Sequence, residues 1–567
     1  MTPHRFRAGV QNLRALVLIL VLTLAALPAA AASAISNTEL AQYADRLLAE
    51  TYPADQPGAT ALVVRSGETV LRKGYGLANL ELGVPMQPDM VLELGSVTKQ
   101  FTGAAILMLQ DRGQLSVNDE VTKYLPDYPT HGQKITLDHL LTHVSGIPSY
   151  TGLPEWSAQW RQDITVDQLI ALFKDKPLEF APGEKWSYNN SAYVLLGAVI
   201  EKVSGKTYED FIEQEIFAPL GMKRASYVNL REIVPGRASG YDKQGDKYLN
   251  TQYLSMSQPY SAGALMSNVD DLALWDQALS NGKLLKKESL DRMFTPVKLN
   301  SGMTTKYGYG WAVWDFEGTR IIEHGGDIFG FSSQVTRVPA EKLLVVVLTN
   351  NPYQQPRPDD LALRITAKAL GRPLEDRKAV ELDPKGLDDY VGVYRFDKET
   401  ARVVSREGDK LFVQRTGGEK SEILASGRDT FFYKDSDGTL RFRRDAQGKI
   451  AVMELLPRFG PDAEGPKTDE APPAERQAIR LDPAIYDAYA GTYELAPTFQ
   501  ITVTREGDRL LAQATGQPQF ELFPASETRF FLKVVEAEVE FQKGPDGKAA
   551  SLTLYQGGRE VPGKRVR

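Results

Sequence analysis

The chain has 567 residues, of which 42% are hydrophobic and 25% charged, and its formal net charge is −7. A chain of this length needs more than one core, so several domains are expected. No segment is basic enough to indicate nucleic-acid binding. The absence of cysteine excludes disulfides, a thiolate nucleophile, a cysteine zinc site and an acylated cysteine anchor.

The N-terminus has the three-part pattern of a secretory signal peptide. Three arginines precede the uncharged apolar run from Ala15 to Leu27, and small residues follow up to Ala34. This pattern predicts a signal peptide over residues 1–34, cleaved after Ala32 or Ala34, and therefore an exported protein, periplasmic or secreted. The apolar run is shorter than the roughly 20 residues of a spanning helix, and an uncleaved N-terminal anchor is the alternative.

Residues 35–375 combine strand and helix patterns and are expected to form one domain. Strand patterns lie at both ends of this segment, and helix-like apolar runs fill its middle. This order indicates an α/β domain in which one sheet is assembled from distant segments, with flanking helices and an inserted helical subdomain. The predicted strands are 59–64, 69–75, 320–323, 332–338 and 343–348, and the predicted helices include 101–110, 191–203 and 359–370.

The C-terminal third contains an internal repeat with a constant offset of 99 residues. Short alternating strands separated by turns predict a small antiparallel β-barrel or half-barrel for each copy. The expected modules cover 380–456 and 478–567, joined by an exposed linker over 457–477 that is rich in proline, glycine and charge. The matching segments begin at Leu382 and Leu481, Tyr390 and Tyr489, Arg406 and Arg505, Phe431 and Phe530, and Gly448 and Gly547.

A possible nucleophile lies in the sequence Ser96-Val97-Thr98-Lys99, which follows a glycine and opens an apolar helical run. Residues i and i+3 share a helix face, so the Lys99 amine could take the Ser96 proton if burial lowers the lysine pKa. The backbone N–H of a serine at a helix N-terminus is also in a position to stabilise an oxyanion. The alternative is an N-cap serine with a surface lysine. A second copy, Ser280 to Lys283, is typical of an exposed turn.

Two later elements add polar groups that suit the same chemistry. Tyr188-Asn189-Asn190 precedes an apolar helix. A phenol near a lysine ammonium has a depressed pKa and can act as a base, and Asn190 can orient the lysine or a substrate amide. His324-Gly325-Gly326 ends a strand, where glycines allow a substrate backbone to approach. The alternatives are a buried structural tyrosine and an ordinary pair of loop glycines.

In this order, Ser96-x-x-Lys99, Tyr188-x-Asn190 and His324-x-Gly326 resemble the three signature elements of the serine β-lactamase and penicillin-binding protein superfamily. The pattern is most similar to the class C-like branch, which has a tyrosine in its second element. Connecting segments such as Ala262-Gly263-Ala264 are also similar to that family. The resemblance covers residues 37–372 and implies a β-lactamase-like antiparallel sheet with flanking helices.

The resemblance implies acyl transfer in two steps, without a cofactor. Ser96 would attack a carbonyl, with Lys99 and Tyr188 handling its proton. The backbone N–H groups of Ser96 and Asp327 would hold the oxyanion, and Asn190 would position the substrate. Water would then release the acyl group, with Tyr188 as the base.

The third element departs from the K-T-G pattern usual in β-lactamases and penicillin-binding proteins. His324 stands in the place of the lysine, and a neutral imidazole provides a hydrogen bond but no fixed cation. We therefore expect an exported serine hydrolase that cleaves an ester or amide, including one in a D-amino-acid-containing peptide. The alternatives are a β-lactamase or penicillin-binding DD-peptidase and, from another class, a non-catalytic ligand-binding protein.

The expected partner is a small-molecule or peptide substrate, with no nucleic acid, no metal and no stable membrane span after signal cleavage; a homo-oligomer is left open. His139 and His143 have the i, i+4 spacing of a metal site but lack the glutamate of H-E-x-x-H, which favours a structural role. The C-terminal repeats resemble lipocalin-like modules that often follow this hydrolase domain. They would shape access to the cleft, bind a ligand, mediate oligomers or only stabilise the fold.

Overall fold

The computed structural model of the chain describes residues 35–566, apart from short gaps at 375–377, 398–399, 417, 419, 435–437, 458–460, 471–477, 497–498, 516–518, 536 and 557–558. The predicted signal peptide at 1–34 lies outside the described residues. Among the helices in the described part of the chain, none is both long enough and apolar enough to cross a bilayer.

Residues 37–369 form an α/β domain, as predicted. Its strands are β1 (Ala59–Arg65), β2 (Glu68–Tyr75), β3 (Leu77–Asn79), β4 (Val84–Pro85), β5 (Leu92–Glu93), β6 (Ser226–Tyr227), β7 (Tyr241–Gln244), β8 (Lys247–Asn250), β9 (Leu265–Ser267), β10 (Ala312–Phe316), β11 (Thr319–Ile328), β12 (Phe331–Val338) and β13 (Leu343–Thr349). Its helices are α1 (Asn37–Thr51), α2 (Thr98–Asp111), α3 (Leu137–Leu141), α4 (Pro154–Ser157), α5 (Val166–Ala171), α6 (Asn190–Ser204), α7 (Tyr208–Ile212), α8 (Ala218–Leu220), α9 (Tyr260–Gly263), α10 (Val269–Asn281), α11 (Lys287–Met293) and α12 (Pro358–Ala369).

The central sheet has six antiparallel strands in the order β10-β11-β12-β13-β1-β2. β1 pairs with β13, so the two ends of the domain meet inside one sheet, which confirms the predicted assembly from distant segments. Both faces are covered, because alternate side chains of β13 enter different cores. Val345 and Val347 pack with α1 and α12, whereas Val346 and Leu348 join the larger core on the opposite face.

That larger core contains the inserted helical subdomain. Helices α2, α6 and α9 contact one another there. The side chains of α2 are buried from Thr98 to Leu109, so this helix is enclosed on all sides. A 3₁₀ turn, Gly95–Val97, leads into α2 and lies against β11 and β12 of the sheet. The start of α2 is therefore fixed at the boundary between sheet and helices.

The C-terminal repeats form two closed antiparallel barrels of eight strands each, in which neighbours in the chain are neighbours in the barrel. This confirms the β-barrel interpretation and is consistent with a lipocalin-like module. The strands of barrel 1 are β14 (Gly392–Arg395), β15 (Ala401–Glu407), β16 (Lys410–Arg415), β17 (Lys420–Gly427), β18 (Thr430–Tyr433), β19 (Thr439–Arg444), β20 (Ile450–Leu456) and β21 (Ala463–Thr468). Those of barrel 2 are β22 (Gly491–Ala496), β23 (Phe499–Glu506), β24 (Arg509–Ala514), β25 (Gln519–Pro524), β26 (Arg529–Phe531), β27 (Ala537–Lys543), β28 (Ala549–Gln556) and β29 (Arg559–Arg565).

Repeated residues make the same contacts in both barrels. The Tyr394 hydroxyl donates to the Tyr390 carbonyl at 2.6 Å in barrel 1. The Tyr493 hydroxyl donates to the Tyr489 carbonyl at 2.7 Å in barrel 2. Both pairs lie in the apolar barrel cores. The sequence repeat is therefore a repeat of interior packing.

The predicted linker over 457–477 requires a correction. Residues Ala463–Thr468 form β21, which pairs with β14 and β20 and closes barrel 1. Without this eighth strand the two neighbours would be open sheet edges. Proline, glycine and charge concealed the strand, since Gly465 and Pro466 lie in its middle and both residue types are uncommon in strand interiors.

Barrel 1 contacts the α/β domain through two lysines. The Lys306 amine donates to the Pro457 carbonyl at 2.9 Å and to Asp462 at 2.5 Å. Lys185 forms an ion pair with Asp397 at 3.8 Å. All three barrel partners lie in loops, between β14 and β15 or between β20 and β21, so this end of barrel 1 faces the α/β domain.

Candidate active site

Two glycines allow the Ser96 turn to lie directly against the sheet. Gly95 has a left-handed φ of +52°, and a Cβ built there would be 2.9 Å from the Asp327 carbonyl oxygen. A Cβ on Gly326 would be 2.0 Å from the Leu94 oxygen and 2.7 Å from the Ser96 nitrogen. Neither approach is possible with a side chain. The first and third sequence elements therefore meet at Ser96.

The Lys99 amine lies next to the Ser96 hydroxyl. It is within 3.1 Å of Ser96 Oγ, and it donates to Asn190 Oδ1 and to the Ala262 carbonyl, both at 2.8 Å. Lys99 is 0% exposed. One lysine thus joins α2, α6 and α9, and the i, i+3 spacing places serine and lysine together as expected.

Burial determines the charge state of this lysine. It lowers the pKa of Lys99 well below its ordinary value, because an ammonium loses its hydration when it is enclosed. The amine lies 4.8 Å from the centre of the Tyr188 ring and 5.4 Å from that of Tyr193. We find no carboxylate among its hydrogen-bond partners in the described residues. A neutral amine is the form that can accept a proton from Ser96.

The expectation that Tyr188 has a depressed pKa was wrong. Burial raises the pKa of Tyr188 above its ordinary value, and the nearby Ser96 hydroxyl opposes this only in part. The Tyr188 hydroxyl is buried and has no hydrogen-bond partner among the described residues. Proximity to a lysine cannot depress the phenol pKa when the same burial also favours the uncharged lysine. Tyr188 is therefore a neutral phenol that still carries its proton.

Asn190 is the first residue of α6, and both polar atoms of its side-chain amide form hydrogen bonds. Its Oδ1 accepts from Lys99, and its Nδ2 donates to Thr151 Oγ1 at 3.1 Å. The preceding residue, Asn189, caps the helix by accepting from the Ala192 N–H at 2.7 Å. Of the two roles expected for Asn190, the contact with the lysine is present. Contact with a substrate is open to it because it also lines part of the cleft.

His324 is neutral, as expected, but both of its ring nitrogens are occupied. Burial lowers the pKa of His324 to about 3. Nδ1 lies 2.6 Å from the Gly325 carbonyl and must donate to it, so Nε2 accepts from the Tyr307 hydroxyl at 2.7 Å. The hydrogen bond expected for a substrate is thus made within the protein.

The cleft has two lobes that meet at Ser96 and Asp327. The larger lobe has a volume of about 400 Å³, and the smaller one about 120 Å³. Tyr188 lines only the larger lobe, and Asn190 only the smaller. The larger lobe is also lined by Trp186, Tyr307, His324, Gly325, Gly326, Ser332, Ser333, Gln334, Arg357 and Asp359. The smaller is lined by Gly95, Tyr150, Thr151, Trp156, Leu254, Pro259, Ala262, Gly263, Ile328 and Phe329.

The larger lobe carries its charge on three side chains. The Arg357 guanidinium donates to both carboxylate oxygens of Asp327 at 2.8 Å and lies 3.5 Å from Asp359. Asp327 is 60% exposed and Arg357 37%. Two carboxylates against one guanidinium leave this lobe with a negative balance.

The sequence analysis missed three groups that form part of the candidate active site. The Ala262 carbonyl belongs to a segment already similar to the family, but a backbone acceptor has no side-chain signal. Tyr307 and Arg357 belong to no motif, and only the folding of the chain brings them to the wall of the cleft. The predicted absence of a metal site remains a prediction; within the described residues no group of three potential metal ligands occurs.

Comparison with known proteins defines the class. A family model described as Beta-lactamase matches residues 44–369, more than half of the chain. The protein therefore belongs to the Beta-lactamase family and is a serine hydrolase. A domain of unknown function, DUF3471, matches residues 376–467 and 475–565, which correspond to the two barrels.

Individual relatives agree with this class. The chain is 29% identical over 529 residues to penicillin-binding protein 4* of Bacillus subtilis, covering 90% of this chain and 96% of that protein. It is similar to the octameric penicillin-binding protein homologue from Pyrococcus abyssi (26% identity, TM-score 0.54, covering 76% of this chain and all of that one). It is also similar to a D-stereospecific amidohydrolase from Streptomyces sp. (27% identity, TM-score 0.51, 58% and 98% covered).

Gly326→Ala tests the contact between the Ser96 turn and β11. The new Cβ would collide with the Leu94 oxygen and displace the turn, so we expect labelling by a fluorophosphonate to slow by about 100-fold. The rate is measured by gel fluorescence with a fluorescent fluorophosphonate. Gly386→Ala is the matched control, because its Cβ would meet no atom within 4 Å. Wild-type labelling of Gly326→Ala would contradict the steric argument.

Proposed function

We propose that the protein is an exported serine hydrolase that cleaves an ester or amide, including D-amino-acid amides and peptides, through an acyl-enzyme on Ser96. The observation that carries this proposal is the buried Lys99 amine, 3.1 Å from Ser96 Oγ at the junction of the two lobes. An amine with a lowered pKa and no carboxylate partner is suited to accept the serine proton.

The pKa shifts support a division of labour between lysine and tyrosine. Neutral Lys99 accepts the proton of Ser96 as its oxygen attacks the carbonyl carbon. The backbone N–H groups of Ser96 and Asp327 hold the oxyanion. Tyr188 gives its proton to the leaving group and recovers one from Lys99. In the second step the neutral Lys99 amine takes a proton from the attacking water and returns it to the Ser96 oxygen as the acyl group leaves.

The two lobes support an assignment of substrate halves. Because Tyr188 lines only the larger lobe, the leaving group that receives its proton occupies that lobe. The acyl half then occupies the smaller lobe, whose walls include Tyr150, Trp156 and Phe329. These walls suit an apolar or aromatic acyl side chain. The similarity to a D-stereospecific amidohydrolase supports amides of D-amino acids as the first substrates to test.

The charge of the larger lobe favours a neutral or cationic leaving group. His324 provides no cation, and Arg357 is already paired with Asp327. A carboxylate there would face two like charges. This disfavours β-lactams and terminal D-alanine peptides, although the relative named penicillin-binding protein 4* keeps β-lactamase or DD-peptidase activity as the second candidate.

The exported location and the oligomeric state are part of the same proposal. The N-terminal arginines, apolar run and small residues support export to the periplasm or medium. The octameric homologue from Pyrococcus abyssi supports a homo-oligomer as a possibility to measure by light scattering. The substrate is a small molecule or peptide, without nucleic acid, metal or cofactor.

The nucleophile is tested by labelling the purified mature chain with a fluorophosphonate and locating the adduct by peptide mass spectrometry. We expect the adduct on Ser96 and expect Ser96→Ala to abolish labelling and turnover. Ser280→Ala is the control, because it removes an exposed serine from the second S-x-x-K sequence. Labelling elsewhere, or none under conditions that label a known serine hydrolase, would favour the non-catalytic ligand-binding alternative.

The lowered pKa of Lys99 predicts the pH dependence of acylation. Only the neutral amine accepts the serine proton, so the labelling rate should fall as the pH drops through the Lys99 pKa. The midpoint of this fall is expected well below the ordinary lysine range, with a plateau on its alkaline side. Fluorophosphonate rates measured over a pH series, with tryptophan fluorescence to verify folding, provide the test. A midpoint in the ordinary lysine range would contradict the lowered pKa of Lys99 on which the proposal depends.

Asp327→Asn tests the charge argument while keeping the backbone N–H at that position. It releases Arg357 from Asp327, leaving Asp359 as its carboxylate partner, and removes one negative charge; the effect is about 1 kcal/mol at a partly exposed site, or about fivefold. The ratio of kcat/KM for a carboxylate-bearing chromogenic cephalosporin to that for an uncharged p-nitrophenyl ester should rise accordingly. Asp246→Asn, in the exposed β7–β8 turn, makes the same charge change away from the cleft. An unchanged ratio would refute the argument.

A further inference from the structure

His143 follows α3 and contacts the chain on both sides of Tyr188. The backbone N–H of Ser187 donates to the His143 carbonyl at 2.9 Å. The backbone N–H of Asn189 donates to His143 Nδ1 at 3.1 Å. The residues before and after Tyr188 are therefore both bonded to this single histidine.

The imidazole also packs directly on the phenol. The centres of the His143 and Tyr188 rings are 4.4 Å apart. The Tyr307 ring lies 4.6 Å away from the imidazole and the Tyr193 ring 5.2 Å away. His143 is fully buried in this aromatic group. Backbone bonds and ring contact together leave Tyr188 little freedom to move.

The protonation state of His143 follows from its contacts. Burial lowers the pKa of His143 well below the ordinary value, so the ring is neutral. Because Nδ1 accepts a hydrogen bond, the proton resides on Nε2. Nε2 is buried and has no partner among the described residues.

An unpaired buried N–H is costly, and an apolar side chain of similar size would avoid that cost. The backbone adds a second cost, since His143 has a left-handed φ of +62°. Unfavourable features of this kind persist where another requirement outweighs them. The contacts identify this requirement. The Asn189 N–H needs a hydrogen-bond acceptor, and His143 Nδ1 provides it.

We propose that His143 is a positioning residue, which holds the Tyr188 hydroxyl at Ser96 by accepting the Asn189 N–H and packing on the phenol. This inference rests on the proposed function, in which Tyr188 protonates the leaving group. It differs from the metal-site and purely structural interpretations of the histidine. A positioning role predicts that His143 acts only through Tyr188.

The test compares two substitutions at His143. His143→Phe keeps a ring but removes the acceptor, whereas His143→Asn keeps an acceptor and tolerates the left-handed backbone. His139→Ala is the matched control: His139 lies in α3, which precedes His143, and its Nδ1 accepts the Thr136 N–H at 3.3 Å. Thermal unfolding followed by tryptophan fluorescence reports the folding of the α/β domain, because all six tryptophans lie within it.

The substrates are D-phenylalanine p-nitroanilide and the matching p-nitrophenyl ester. The anilide leaving group needs a proton and p-nitrophenolate does not, so a displaced Tyr188 should affect the anilide more. We expect His143→Phe to lower kcat/KM for the anilide by about 10- to 100-fold and for the ester by much less. His143→Asn should restore most of the anilide activity, and His139→Ala should retain it.

A double-mutant cycle separates this inference from the proposed function. In a Tyr188→Phe background, His143→Phe should cause no further loss of anilide activity. A full additional loss would overturn the positioning role, as would an impaired His143→Asn or equal losses on ester and anilide. If Tyr188→Phe itself is fully active, or the wild-type chain cleaves neither substrate, the proposed function fails and the inference fails with it. If His143→Phe does not fold, the activity of His143→Asn decides.

Discussion

The enclosed amine of Lys99 is the constraint on which the rest of this site depends. Enclosing an ammonium costs several kcal/mol unless it is paired, and here the amine meets only neutral oxygens, from Ser96, Asn190 and Ala262. Those oxygens come from three separate parts of the chain. The turn before α2, the start of α6 and the end of α9 must therefore converge, and packing of the helical subdomain against the sheet brings them together.

The same enclosure disfavours charge throughout the reaction centre. Burial lowers the pKa of Lys99, raises that of Tyr188 and lowers that of His324. Formal charge is found at the rim of the larger lobe, on Arg357 and its carboxylate partners. In the proposed reaction, an ammonium on Lys99 and an oxyanion would therefore form from neutral groups, close to each other. In the proposed function, this rim is the part of the cleft that distinguishes substrates by their charge.

Much of the fold and site could be predicted because the signals are local. The Ser96–Lys99 spacing and the residues before α6 each lie within a few adjacent residues, and the barrels follow from short segments that recur at a constant offset of 99 residues. The predictions that failed concern properties that depend on burial or on pairing between distant segments. The pKa of Tyr188 was misjudged because burial cannot be read from one tyrosine. The bond from Tyr307 to His324 depends on how β11 lies beside a separate loop. Strand β21 was missed because barrel closure, not local pattern, makes it a strand.

The contact between barrel 1 and the α/β domain has an evolutionary consequence. Lys185 and Lys306, which bind the barrel loops, directly precede Trp186 and Tyr307 in the wall of the larger lobe. The wall is thus anchored by a neighbouring domain whose loops carry none of the residues proposed for catalysis. Insertions or substitutions in those loops can reshape the cleft while Ser96 and its partners stay unchanged. The barrel loops can therefore diverge without altering any residue proposed for catalysis, and the wall of the larger lobe is the part of the site that such a change would reach first.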